Sequence, residues 1–119
     1  MQFSVRDRAF NIDLHDTPTA RAIQSALPIE TAVHRWGDEI YCLTDIKLDE
    51  EPDARELMAV GEIAYWPPQG GIALFFGPTP SSTDERPRAY SRCNVFGTFE
   101  VDLDHLRSVK DGDTIRFSE

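Results

Sequence analysis

The stretch GGIALFFGPTP, Gly70 to Pro80, decides the reading of the fold. An apolar run ends in two adjacent phenylalanines, and Gly77, Pro78 and Pro80 then break the chain. So short an apolar run, bounded by Gly and Pro, predicts a strand rather than a helix. Successive side chains of a strand point to opposite faces, so Ile72, Leu74 and Phe76 share one face and Ala73 and Phe75 the other. Both faces are apolar. One must form a core, and the other must be covered by another element or left to bind something.

The neighbouring segments read as further strands. Upstream, EIAYW (Glu62–Trp66) joins this strand through a turn made by Pro67, Pro68, Gln69 and Gly70. ETAVHRWGDEIYCLT gives two short strands around a tight turn at Gly37-Asp38. QFSVRDRAFNIDL alternates Phe3 and Val5, then Phe10, Ile12 and Leu14, with polar residues, and predicts a hairpin. One helix is clear, over about 18–27: Asp16 or Thr17 caps it, Pro18 suits its first turn, and Ala20, Ile23 and Leu27 form its apolar stripe. The acidic segment Asp45–Glu62 reads mostly as surface connection, with room for a short helix over Ala54–Met58. Gly77–Arg92 shows no periodicity and reads as a long loop, of the kind that carries function or stays disordered. NVFGTFEVDL is a strand, a short helical turn lies near 102–107, and DTIRFSE closes the chain as a strand. The expected fold is mainly β, a single domain over 1–119 built as a closed β-barrel of seven or eight strands. A parallel α/β sheet would need alternating helices, which are missing.

Composition sets outer limits on function. Of the 119 residues, 40% are apolar and 28% charged, the balance of a soluble globular domain. No apolar run reaches the length of a membrane span, and MQFSVRDRAF alternates as a strand rather than a signal peptide, so a cytoplasmic location is expected. A net charge of −9 with no Lys/Arg cluster argues against nucleic acid or an anionic membrane as partner. Cys42 and Cys93 lie far apart and are expected to be free thiols, and the three histidines are scattered. No spacing supports a metal site, and no phosphate-binding or nucleophile motif suggests a cofactor or covalent chemistry.

Three segments resemble, in the correct order, the peptidyl-prolyl isomerase cyclophilin. HRW (His34–Trp36) is similar to the strand that carries the catalytic arginine. GGIALFFGPTP is similar to the strand whose second Phe lines the proline pocket. CNVFGTF is similar to the strand that opens with a pocket histidine. The whole chain resembles a family of small prokaryotic cyclophilin-like proteins sharing DTPTA, RWGDEIY, YWP, FFGPTP and NVFG, all present between Asp16 and Gly97. That resemblance implies a minimal cyclophilin-type barrel. The role of the family is not established.

The resemblance aligns Arg35 with the isomerase arginine. A prolyl amide resists rotation with a barrier of roughly 20 kcal/mol, and a guanidinium bonded to the prolyl nitrogen would favour the twisted form. Alternatively Arg35 pairs with Asp38 or Glu39. Phe76 aligns with the pocket phenylalanine, which would send Phe76 to a groove and Phe75 to the barrel interior; alternatively both are core. Leu74 stands where cyclophilins have a glutamine, and Cys93 stands where they have the histidine, with Asn94 beside it as a possible donor. No residue matches the second pocket Phe or its Gln. From the residues themselves, Trp36 or Tyr41 could supply an aromatic wall, Trp66 either a lid or a pocket rim, and Pro78 and Thr79 a wall beside Phe76.

The expected function is a binding module for a small molecule or proline-containing peptide, using a groove around Arg35, Phe76 and Trp66. The alternative is a weak peptidyl-prolyl isomerase with a degenerate site. A third reading has the exposed apolar face covered by a second copy, so that the protein is a homodimer rather than a monomer.

Overall fold

The structure, a computed structural model, describes all residues, Met1–Glu119. Its elements are β1 (Gln2–Val5), β2 (Arg8–Leu14), α1 (Pro18–Ser25), β3 (Ile29–Ala32), β4 (His34–Arg35), β5 (Glu39–Leu43), β6 (Arg55–Leu57) and β7 (Glu62–Trp66). A single 3-10 turn at Pro67–Gln69 leads to β8 (Gly71–Phe75), followed by β9 (Arg88–Phe99), α2 (Leu103–Ser108) and β10 (Thr114–Ser118). The predicted hairpin, the turn at Gly37-Asp38 and the closing strand are all present. Thr17 caps α1, its hydroxyl accepting the Ala20 N–H at 3.1 Å. The helix stops short of residue 27 because Pro28 disfavours helical backbone at the residue before it.

All ten strands belong to one antiparallel sheet in the order β3-β10-β1-β2-β9-β7-β8-β5-β4, with β6 paired to β9. The closed barrel of seven or eight strands is thus corrected: the sheet has ten strands and is not closed. Its edge strands β3 and β4 are consecutive in the chain, separated only by Val33, so the sheet curls until its ends nearly meet. Two-residue β4 is too short to make a ladder with β3. A Thr31 hydroxyl donating to the Leu43 carbonyl at 3.4 Å ties β3 to β5 instead.

Two expectations about connections also change. The helix proposed over Ala54–Met58 is the strand β6, because pairing with β9 (Arg55 opposite Cys93) gives its backbone groups partners that local propensity does not foresee. The loop after Gly77 ends sooner than Arg92, since β9 starts at Arg88 and runs unbroken to Phe99.

β5, β8, β7 and β9 bury both faces. The inner face holds the main core, with Ile72, Leu74 and Phe76 of the β8 segment packed among Phe3, Ile23, Phe96 and Leu106. The outer face carries a smaller cluster of Met58, Ala64, Ala73, Phe75, Ala89 and Cys93. The alternation is as predicted but its direction is reversed: Phe76 lies in the interior and Phe75 on the outer face. The interior takes the face with the larger side chains, because close packing rewards the side that fills volume.

The acidic connection is anchored as well as exposed. Tyr65 donates its hydroxyl to the Ile46 carbonyl (2.6 Å) and accepts the Leu48 N–H (3.0 Å). Buried Asn94 accepts the Glu51 N–H (2.8 Å) and donates to the Asp49 carbonyl (2.9 Å) and the Thr19 hydroxyl (3.1 Å). No helix is long and apolar enough to cross a membrane.

Candidate functional site

On the outer face of the sheet lies a groove of about 300 Å³, lined by Trp36, Glu39, Tyr41, Trp66, Gln69, Gly71, Ala73, Ala89, Tyr90 and Cys93. The sequence creates it by period two. Gly71 and Ala73 occupy the outward positions of β8, opposite Trp66 and Ala64 of β7 on one side and Leu43 and Tyr41 of β5 on the other. Small side chains between large ones leave a depression.

Aromatic rings rim it. Tyr90 stands between the two tryptophans, with centroids 6.1 Å from Trp36 and 6.1 Å from Trp66, meeting both edge to face. The Trp66 indole N–H donates to the Ser91 hydroxyl at 2.5 Å, which fixes the ring at the mouth rather than as a plug. Tyr41 stacks on His34 at 5.1 Å. Tyr90 itself is 73% exposed, so its edge is available at the opening.

Two carboxylates flank Phe75 in one row of the sheet, Glu39 on β5 and Glu62 on β7. Both are buried, and their surroundings differ. Arg55 grips Glu62 with two bonds, 2.9 and 2.6 Å, and the Ala59 N–H adds a third at 2.6 Å. Burial alone would raise Glu62, but these donors hold it below the usual carboxylate value. Glu39 has no such partner: it is 7% exposed, its Oε1 is buried without a hydrogen bond, and burial pushes its pKa up to about 8. The carboxyl that no cation answers is the one that lines the groove.

Trp36, Tyr41, Trp66 and Cys93 come together in this groove, but not around Arg35 and Phe76, the residues on which the expected groove was centred. The other candidates lie elsewhere. Leu74 and Phe76 belong to the main core, with Phe76 only 2% exposed, and Asn94 is committed to the bonds described above. Pro78 is exposed on the following loop, and buried Thr79 donates its hydroxyl to the Arg88 carbonyl. Neither lines the groove. Cys93 is buried, and burial, helped by Glu39 and Glu56, pushes its thiol up to about 12, so it is neither a base nor a nucleophile at neutral pH.

Arg35 is held by the protein itself. Its Nη1 donates to the carbonyls of Arg107 (3.1 Å) and Val109 (2.7 Å), at the end of α2, and its Nε and Nη2 donate to Gly37 (3.2 and 2.7 Å). Asp38 stands 3.6 Å from Nη2, and the guanidinium carbon lies 5.3 Å from the Phe76 ring centroid. Its carboxylate neighbour is therefore Asp38, not Glu39. Arg35 and Phe76 do meet, but as a packed pair, on the far side of β8 from the cluster that underlies the groove.

Glu39, Tyr90, Gln69, Gly71, Ala73 and Ala89 were not among the sequence candidates. Alternation contains part of the answer: with Ile40 and Cys42 inward, Glu39 and Tyr41 must face outward. Tyr90 and Ala89 lay in the segment read as a loop.

A comparison with proteins of curated function returned no match. Among solved structures, a hypothetical protein from Archaeoglobus fulgidus, determined in solution, is similar with a TM-score of 0.82 and 35% sequence identity, over 98% of this chain and 91% of that one. The family model described as Cyclophilin-like matches residues 1–118. With match, sheet and motifs in agreement, the chain belongs to the cyclophilin-like family.

Proposed function

We propose that this cyclophilin-like domain is a binding module that holds a small molecule in the outer-face groove between Trp36, Trp66 and Tyr90. One observation carries the reading. A sheet face that could have been filled is hollowed at Gly71 and Ala73 and rimmed by aromatic rings, which combine apolar area with polar edges. At about 300 Å³ the groove is at the small end of the roughly 300–1,000 Å³ typical of small-molecule sites. The site is centred on Trp66 rather than on Arg35 and Phe76. An isomerase would need the Arg35 guanidinium free to reach a prolyl nitrogen, and its N–H groups are engaged by backbone carbonyls. Cys93, at the position aligned with the isomerase histidine, supplies no comparable donor.

The test is a fragment panel of cationic, neutral and anionic compounds, read by the two tryptophan indole N–H resonances in NMR. Both tryptophans of the chain line the groove, so a bound compound moves both signals saturably. A panel whose members move neither signal overturns the reading.

A further inference from the structure

We propose that the groove selects a small organic monocation, an alkylammonium or methylated ammonium, which lies against the aromatic rim with its charge facing Glu39. The inference rests on the groove being a binding site and adds the charge of what it binds. Three features support it. The residues lining the groove include no Lys, Arg or His, so nothing there would attract an anion. The rim offers two indoles and two phenols, and the faces of such rings attract cations when desolvated. Glu39 contributes a carboxyl whose Oε1 is buried and unpartnered, whereas its counterpart Glu62, across Phe75, is satisfied by an arginine of this chain. A bound cation would occupy for Glu39 the place that Arg55 occupies for Glu62.

Binding of this kind moves a proton. The ionisable groups around Glu39 are Tyr41 on its own strand, Tyr90 and Cys93 on β9, and Glu62 with Arg55 beyond Phe75 on β7 and β6. Glu56 of β6 adds its negative charge near Cys93, and Arg88 at the start of β9, whose Nε is also buried without a hydrogen bond, faces Glu56 at 3.9 Å rather than Glu39. Asp38, next in the chain, is held by Arg35 and by Arg107 at 3.0 Å; His34 of β4 stacks on Tyr41, and β8 contributes no titratable group. No cation among these compensates Glu39, so it is protonated in the free protein near neutral pH. A monocation that pairs with the ionised form displaces one proton to solvent.

The experiment compares three compounds of one shape by tryptophan fluorescence titration: choline, its neutral carbon isostere 3,3-dimethylbutan-1-ol, and the anion 3,3-dimethylbutanoate. Choline is expected to bind at least about tenfold more tightly than the alcohol, with the anion weakest. Its Kd should fall about tenfold between pH 6 and 7 and level off above about pH 8, as Glu39 no longer has a proton to release. Glu39→Gln should abolish that pH dependence and bring choline to the level of the alcohol. Should the variant not fold, the isostere comparison and the pH profile of the native protein decide alone. Alcohol binding equal to choline, or choline binding independent of pH over that range, overturns the charge assignment while leaving the groove a binding site. Silence from all three compounds removes the charge assignment, and the fragment panel then decides whether the groove binds anything.

Discussion

Replacing Glu39 by Gln keeps the shape of the buried side chain and removes its ability to ionise. The unfolded chain loses the Glu39 proton near the ordinary value of 4.5, whereas the folded protein keeps it until about 8. Between those values the folded state binds a proton that the unfolded state has released, so this residue makes stability fall as pH rises. The loss begins near pH 4.5 and is complete above about pH 8. A span of about 3.5 pH units at about 1.4 kcal/mol each gives about 5 kcal/mol at the alkaline end and about 3 kcal/mol at pH 7. These are upper bounds, because water admitted through the open groove screens the charge. The assay is urea unfolding followed by far-UV circular dichroism from about pH 5 to 9, for the native protein and the variant in parallel. The amide has its own fixed contribution, and all other titrating groups cancel in the difference. Glu39→Gln should therefore gain on the native protein by at least about 2 kcal/mol between pH 5 and 8.5. A difference that stays flat with pH would mean that Glu39 titrates as an ordinary carboxyl, and the reasoning about the groove would lose its basis.

Arg35→Ala should be mainly a stability variant. It frees the carbonyls of Gly37, Arg107 and Val109 and uncovers Phe76, a loss of about 3–5 kcal/mol by urea unfolding. In a chromogenic X-Pro peptide assay the native protein and this variant should give the same rate at high protein concentration, and a rate lost with Arg35 would restore the isomerase reading. Asn94→Ala should cost about 3 kcal/mol, because three hydrogen bonds that secure α1 and the acidic connection go together. Limited proteolysis should then cut first within residues 44–54; unchanged resistance would show that Asn94 is not what anchors that segment. Tyr90→Ala, at an exposed position with edge-to-face contacts to both tryptophans, should cost about 1 kcal/mol of stability and weaken choline binding in the fluorescence titration.

Much of the fold was legible because it is local. Thr17 and Pro18 announce α1, and Phe3, Val5, Phe10 and Ile12 announce the hairpin by period two alone. β6 was illegible for the opposite reason: Arg55, Glu56 and Leu57 carry no strand pattern, and only the edge of β9 makes them a strand. Strand count and closure depend on such pairings, which is why a closed barrel was expected where the sheet remains open at Val33.

The site was legible in composition and misread in direction. Alternation separates Phe75 from Phe76 but does not say which face is inside, and likeness to cyclophilin favoured the wrong one. Side-chain volume would have corrected it, since Ile72, Leu74 and Phe76 outweigh Gly71, Ala73 and Phe75. The same comparison marks the outer face as hollow. Glu39 was weighed only as a partner for Arg35, yet the turn at Gly37-Asp38 gives that role to Asp38 and leaves Glu39 on the strand, facing the groove.

The most direct measurement is a crystal structure of the protein soaked with the tightest-binding compound of the fragment panel. The account predicts density enclosed by Trp36, Trp66 and Tyr90 above Ala73, with Arg35 still bonded to the carbonyls of Gly37, Arg107 and Val109. Density beside Arg35 and Phe76, with those bonds broken and the groove empty, would contradict it.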